Sequence, residues 1–335
     1  MVNRTQGVMK MDHAAGAVEV TVWADAAGAA TAEAVLARMG DAVRCIGVGG
    51  PREAAVDALA AALDCPREDD LRKLLIDRPA TCLLLATMRG ASVANVRTAA
   101  HQGTHVLALE PPVAERVALP ALAAVASWVT YVPAFEACPG LHFAAEPAEA
   151  MGPLRSVRFE SLGRRGEGSL FARLLDAWRT VLGHVPPPAT IDAALGRTGG
   201  EAPEALRDLT GALTAHGRPA GDGAGVLVHV ADRAAAAGRA LCVLGEEGQL
   251  DVHDAGYRLR RADGALLDEA HEPAALNFAE LVAHQWRRLI DRLASGPPEP
   301  VSTQRERDAL ACCLACLLSI RTGQAESPAK LAEMG

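Results

Sequence analysis

Apolar positions along the chain fall into short runs of strand length, separated by longer stretches with helical spacing. Val18 to Trp23 (VEVTVW) reads as a strand, and ADAAGAATAEAVLARM after it has the Ala, Leu and Met content of a helix. Ala42 to Val48 predicts a second strand, Gly49-Gly50-Pro51 a turn, and Arg52 to Leu63 a second helix. Asp69 and Asp70 then set acids at the positive end of a helix, DDLRKLLID. Thr81 to Ala86 (TCLLLA) is a fully apolar strand and Ser92 to His101 the next helix. His105 to Leu109 is a buried strand, entered through Gly103 and stopped by Pro111-Pro112, which cannot extend a ladder. Four strands alternating with helices, and joined by no hairpin turn, predict a parallel sheet with helices on both faces. Chain leaving the carboxyl ends of such strands lines a ligand crevice.

From about Tyr131 the pattern changes. RSVRFES around Val157 reads as a strand, and Phe171 to Leu182 as a helix that ends at Gly183 and is stopped by Pro186-Pro187-Pro188. VLVHVAD, RALCVLG, QLDVHD and GYRLRRA follow one another through short Gly-containing turns, which predicts an antiparallel meander. Arg197 to Gly225 reads as a Gly/Pro-punctuated, partly helical stretch, and helices Ala274 to Leu293 and Gln304 to Ile320 close the chain. The α/β organisation expected is a polar tail over 1–16, a Rossmann-like parallel sheet over 17–130, and a carboxyl-terminal α+β domain with a mainly antiparallel open sheet over 131–335.

Composition narrows the partners. The 335 residues suffice for two cores, and half of them are hydrophobic. A net charge of -8, with no Lys/Arg-rich run, argues against a nucleic-acid partner. No apolar stretch is long enough to span a bilayer and the first residues contain no signal-like apolar core, so no membrane partner and a cytoplasmic location are expected. Eight scattered cysteines suit reduced, buried thiols. Cys312 and Cys316 share one helix face, but no matching Cys/His pair sits nearby in sequence, and no metal site is expected.

Helix, then Gly-Thr-His-Val-Leu at 103–107, then Glu110 and Pro111 resembles the segment that ends in the Glu-Lys-Pro motif of the Gfo/Idh/MocA oxidoreductases. The resemblance continues in order: the strand after Met151-Gly152-Pro153-Leu154, the LDxxRWLLG-like helix from Leu175-Asp176 to Gly183, the turn Leu244-Gly245-Glu246-Glu247-Gly248, and SIRTGQ at 319–324. It implies an NAD(P)-binding domain, hydride transfer on a sugar or cyclitol, and self-association through the carboxyl-terminal sheet. The apolar character of VLVHVAD and RALCVLG leaves burial on both faces of that sheet open.

The family's chemistry is largely missing at the matching positions. Its G-x-G-x-x-G falls on Ala24-Asp25-Ala26-Ala27-Gly28-Ala29, with an alanine at each required glycine. Added methyls obstruct a tight turn beside a pyrophosphate, and Asp25 puts a negative charge there. The acid for the adenosine ribose belongs at Val48-Gly49-Gly50-Pro51, which carries no carboxylate; Arg52 just beyond would face a 2′-phosphate or, more simply, solvent. The loop Thr87-Met88-Arg89-Gly90-Ala91-Ser92 stands where the family has T-P-x-x-x-H, and Ser92 suits a helix N-cap. The family lysine is replaced by Glu110, or by Pro111 if one residue is inserted. Lys10, Lys73 and Lys330 are the only lysines, and none of them is placed to substitute. The acid/base pair D-x-x-x-H falls on Ser169 and Arg173, and arginine does not exchange protons near neutral pH. His105, His142 and His184 are the histidines nearest the crevice in sequence, with His105 expected to be packed and hydrogen-bonded.

Two functions follow as expectations. One is an oxidoreductase-like protein with impaired or absent catalysis, serving as a ligand-binding, regulatory or partner subunit. The alternative is an active NAD(P)-dependent oxidoreductase with a rearranged site, using Glu110, Arg173 and a histidine. Candidate crevice positions for NAD(P) are Ala24, Ala26, Gly28, Gly49, Thr87 and Glu110, with the alanines arguing against binding.

Overall fold

The computed structural model describes residues 17–114, 125–132, 138–144, 151–164, 168–196, 202–271, 278–295 and 303–333; the expected polar tail lies outside them. One sheet contains β1 (Val18–Trp23), β2 (Val43–Gly49), β3 (Arg67–Glu68), β4 (Cys82–Leu85), β5 (His105–Ala108) and β6 (Val129–Tyr131), ordered β3-β2-β1-β4-β5-β6. Every pairing in it is parallel. The four central strands are those the apolar pattern predicts. The edge strands β3 and β6 are two and three residues long, too short to leave an alternation in sequence.

Helices α1 (Ala26–Met39), α2 (Ala54–Ala62), α3 (Leu71–Asp77) and α4 (Val93–His101) cross between these strands. Asp25 caps α1, Asp70 caps α3, and Ser92 caps α4 in a reciprocal box with Asn95, each contributing about 1 kcal/mol. On one face Val20, Val22, Leu84 and Leu107 pack with Val35 of α1 and Leu59 of α2. Trp286 and Val282 of a late helix, α7 (Phe278–Ser295), join the same cluster, so the chain returns to the first sheet near its end. On the other face Leu83, Leu85 and Val106 pack with Leu74 of α3 and Val96 of α4. β4 and β5 are therefore buried on both faces, which is why they are almost wholly apolar.

The second sheet has eight strands: β7 (Leu154–Leu162), β8 (Thr190–Gly196), β9 (Ala212–Arg218), β10 (Gly225–Ala231), β11 (Gly238–Gly245), β12 (Gly248–His253), β13 (Gly256–Arg261) and β14 (Leu266–His271). Their order is β14-β13-β12-β11-β7-β10-β9-β8. The expected meander holds from β11 to β13 and extends to β14, but β10 is not the neighbour of β11. It pairs in parallel with β7 and antiparallel with β9, while β11 lies on the other side of β7. The cause is visible where the strands end: Gly163 N–H donates to Ala231 O and Ala234 N–H donates to Gly163 O, both at 2.8 Å. The chain leaving β10 is thus carried over the end of β7. The stretch read as partly helical contains, among its described residues, a single 3-10 turn, Leu206–Asp208, and then strand β9.

Helices α5 (Pro139–Phe143), α6 (Leu170–Val181), α8 (Thr303–Thr322) and α9 (Pro328–Glu333) complete the described α-helices; α9 is an addition to the two closing helices expected. Phe171, Leu174 and Trp178 of α6 bury against Val157, Phe159 and Val228, with Cys312, Cys313 and Cys316 of α8 in the same core. Glu326, beyond α8, bridges to Ile191 and covers the β8 edge. The opposite face of the sheet is polar. The pairing register lines up Asp192, His216, Leu227, Arg158, Cys242, Asp251, Arg258 and Glu269 on one row across it, six of the eight polar or charged. Among the described residues no helix is long and apolar enough to cross a membrane.

Candidate functional site

Ala24, Gly28, Gly49, Thr87 and Glu110 converge at the carboxyl ends of β1, β2, β4 and β5, with Ala26 opening α1 beside them. The parallel order places them there, because each strand delivers its following loop to the same edge.

The amides at the start of α1, where a helix offers unpaired N–H groups to an anion, are taken by the chain's own carboxylates. Asp25 Oδ1 accepts the N–H of Gly28 at 2.9 Å. Glu53 is the N-cap residue of α2, but its side chain makes no bond to that helix; its Oε2 accepts the N–H of Ala26 at 2.6 Å, and its Oε1 pairs with Arg89 of the β4 loop. Arg89 is itself tied down, since its carbonyl accepts Trp23 Nε1–H at 3.0 Å. Glu53 and Arg89 thus form a strut across the mouth of the crevice.

A second set of bonds runs along its floor. Thr87 Oγ1 lies 3.2 Å from Asp25 Oδ2 and 3.4 Å from Glu110 Oε2, so two carboxylates converge on one hydroxyl. Glu110 Oε2 also accepts the Met88 N–H at 2.9 Å. Burial pushes the Glu110 carboxyl above its ordinary value, and Asp25 pushes the same way. The Met88 amide, Arg207 and the Thr87 hydroxyl oppose the shift without cancelling it.

Gly49 and Gly50 have a packing reason. A Cβ on Gly49 would stand 2.7 Å from the Trp23 ring, and one on Gly50 would stand 1.9 Å from Ala24 O. The end of β1 fills the space in which a ribose-binding acid would need its side chain. Arg67 Nη2 donates to the carbonyls of Gly50 and Pro51 at 3.1 and 2.6 Å, fixing this turn. Arg52, considered for a 2′-phosphate, is an exposed side chain paired with Asp69 at 2.6 Å.

Arg173 stands apart from this group. It lies in the first turn of α6, behind the Ser169 N-cap, and its Nη1 donates to Ser161 Oγ at 3.4 Å. Its guanidinium occupies the space above Gly163, where a Cβ would meet Nη2 at 1.8 Å. The cation nearer Glu110 is Arg207, whose Nη2 donates to Pro111 O at 2.9 Å and whose guanidinium carbon lies 5.9 Å from the Phe171 ring centre. Sequence reasoning did not single out Glu53, Arg89 or Arg207. The only signal for Glu53 is an acid at a helix start, and that points to its own helix rather than to α1.

The histidines contribute little to the crevice. His105 is buried in β5 with Nε2 3.0 Å from Thr130 Oγ1, as a packed residue should be, and burial lowers its pKa to about 4. Burial and Arg305 lower that of His184, and the side chain of His142 lies outside the described residues. Among the described residues no three His, Cys, Asp or Glu side chains group as metal ligands.

Solved structures share this architecture over nearly the whole chain. An oxidoreductase from Agrobacterium radiobacter in complex with NAD+, L-tartaric acid and magnesium superposes with a TM-score of 0.70 at 14% identity, covering 94% of this chain and 99% of that one. The fold is that of the Gfo/Idh/MocA oxidoreductases. Levoglucosan dehydrogenase with NADH and levoglucosan gives a TM-score of 0.72 at 14% identity, covering 92% and 99%. GenD2 from gentamicin A biosynthesis, in complex with NAD, gives 0.69 at 17% identity, covering 98% and 99%. No family model matches the chain, and no curated protein matches it in sequence.

Proposed function

We propose that this protein uses the Gfo/Idh/MocA fold without hydride transfer, as a ligand-binding or partner subunit. The observation that carries the reading is the occupation of the Ala26 and Gly28 amides by Glu53 and Asp25. A dinucleotide pyrophosphate needs those donors and a neutral or positive surround. Here it would meet bonded amides and three carboxylates, those of Asp25, Glu53 and Glu110. The residues present do not fit the group. Among the described residues no lysine lies in the crevice, and the arginines near it, Arg173 and Arg207, do not exchange protons near neutral pH.

The ligand this reading favours is a small molecule seated between Glu110 and Arg207, and the polar outer face of the eight-stranded sheet would pair two copies. Titration with NADH and NADPH, followed by nicotinamide fluorescence and melting temperature, tests the reading. No saturable binding is expected below millimolar cofactor, and binding in the micromolar range would overturn it.

One observation favours the alternative, an active NAD(P)-dependent oxidoreductase on a sugar or cyclitol. Glu110 holds a carboxyl at the crevice floor whose pKa burial raises above the ordinary carboxylate value, the direction a general acid or base needs. Micromolar cofactor binding together with oxidation of a sugar or cyclitol, abolished in Glu110→Gln, would establish that reading instead.

A further inference from the structure

All eight cysteines are free thiols. Cys82, Cys138, Cys312, Cys313 and Cys316 are buried, while Cys45, Cys65 and Cys242 are half-buried. Two of the half-buried thiols meet: Cys45 Sγ on β2 lies 3.8 Å from Cys65 Sγ just past α2. The local backbone produces this approach. Asp64 takes a left-handed conformation with φ of 48°, and the Cys65 N–H returns to Ala60 O at 3.1 Å, so the chain folds back over β2 as it leaves the helix.

Reactivity separates Cys45 from the other seven; the Cys65 thiol is pushed up by its hydrogen bond to the Cys45 sulfur and by burial, so Cys45 is the attacking group and Cys65 its partner. Hydrogen bonding from the Cys65 thiol favours the Cys45 thiolate, and the Gly47 backbone assists against burial. Burial pushes Cys82 and Cys242 up to about 11 and Cys138 and Cys316 up to about 12. A thiolate that is accessible and held beside a second thiol is the arrangement that thiol–disulfide exchange requires.

We propose that Cys45 and Cys65 are an oxidative modification site, forming a reversible intramolecular disulfide that closes residues 45–65 into a loop. The oxidant is a small-molecule disulfide. The Cys45 thiolate attacks one of its sulfurs, the S–S bond breaks, and one half leaves as a thiolate that takes a proton from water. The Cys65 thiol then gives up its proton to solvent and attacks the Cys45 sulfur, expelling the second half as a thiolate that takes a proton from solvent in turn. Two protein thiols are oxidised and one external disulfide is reduced. The closed loop contains Gly49, Gly50 and Glu53, so the bond fixes the segment that sets the Glu53 carboxylate on α1. The inference holds whether or not the crevice binds a dinucleotide.

The test exposes the full chain to oxidised glutathione, alkylates it in denaturant with iodoacetamide, and maps tryptic peptides. Cleavage after Arg44, Arg52 and Arg67 gives CIGVGGPR and EAAVDALAAALDCPR. The expected result is one disulfide-linked species joining these two peptides, lost on reduction, with the other six cysteines alkylated. The oxidised protein should melt about 5 °C higher, because the unfolded chain loses loop entropy. The Cys65→Ser variant, which leaves the attacking thiol in place, should stop at a glutathione adduct on Cys45. Full alkylation of both cysteines after oxidation, or linkage of either to a different cysteine, would overturn the proposal.

Discussion

The Glu53 carboxylate accepts the Ala26 N–H at 2.6 Å, joining the start of α2 to the start of α1. This bond sets an internal negative charge at the helix end where a dinucleotide-binding chain receives phosphate. Replacing Glu53 with Ala frees one amide and removes one repelling charge. The variant should bind NADH at least tenfold more tightly than the wild type, about 1.4 kcal/mol, read from nicotinamide fluorescence. It should also lose about 1.5–3 kcal/mol of stability in urea unfolding, the usual worth of a hydrogen bond to a charged group. The exposed Arg89 partner adds little. Unchanged NADH affinity would remove the plugged-site argument.

Gly50 is predicted to be intolerant of any side chain. A Cβ there would stand 1.9 Å from Ala24 O, a backbone atom held by the Ala24 N–H to Gly49 O bond at 2.9 Å. Gly50→Ala should therefore force the β2 turn off β1, at about 1–3 kcal/mol. Thermal denaturation would show a fall of several degrees. A variant that melts with the wild type would mean that the turn has room the packing does not show, and a ribose acid could then be accommodated.

What the sequence made legible follows from how each element is buried. β4 and β5 announce themselves because two covered faces demand continuous apolar residues between Gly and Pro stops. β9 hides because its inward positions, Leu213, Ala215 and Gly217, shrink along the strand, and Pro188 packs against Gly217 where a larger side chain would stand. β14 has nearly all its residues exposed, so no alternation marks it. The partner of β10 is not legible because proximity in sequence favours a hairpin with β11, whereas the bonds at Gly163 route the chain across β7. In the crevice, the missing glycines and lysine were readable by position. The carboxylate that fills the resulting space was not, since Glu53 lies 27 residues from the amide it serves.

Glu110 should make stability fall as pH rises. Its folded pKa is raised, mainly by burial, so below the ordinary carboxylate value folded and unfolded chains are both protonated there. As pH climbs through that value the unfolded chain ionises first, and the stability contributed by the neutral buried carboxyl is lost up to the folded pKa. Glu110→Gln keeps an oxygen for the Met88 amide and removes the titration. The difference in melting temperature, variant minus wild type, should increase from pH 4 towards pH 7. A difference independent of pH would show that the Glu110 carboxyl is not perturbed.

His105 works in the opposite direction and in a separate window. It is 1% exposed, its Nε2 meets Thr130 Oγ1, and its Nδ1 is buried with no hydrogen-bond partner among the described residues. Protonation would place a cation in the sheet interior near Arg292, and the pKa is accordingly lowered from 6.5 to about 4. A depressed folded pKa contributes stability that is present above the unfolded value and is lost as pH falls through the folded one. Acidification from pH 6.5 to 4 should thus cost on the order of 3 kcal/mol at this residue alone. His105→Gln retains a polar atom for Thr130 and cannot be protonated, so its urea midpoint should fall less steeply than that of the wild type across this interval. Parallel midpoints would mean that His105 takes up its proton as readily in the folded chain as in the unfolded one, and that the β5 interior is wetter than its packing indicates.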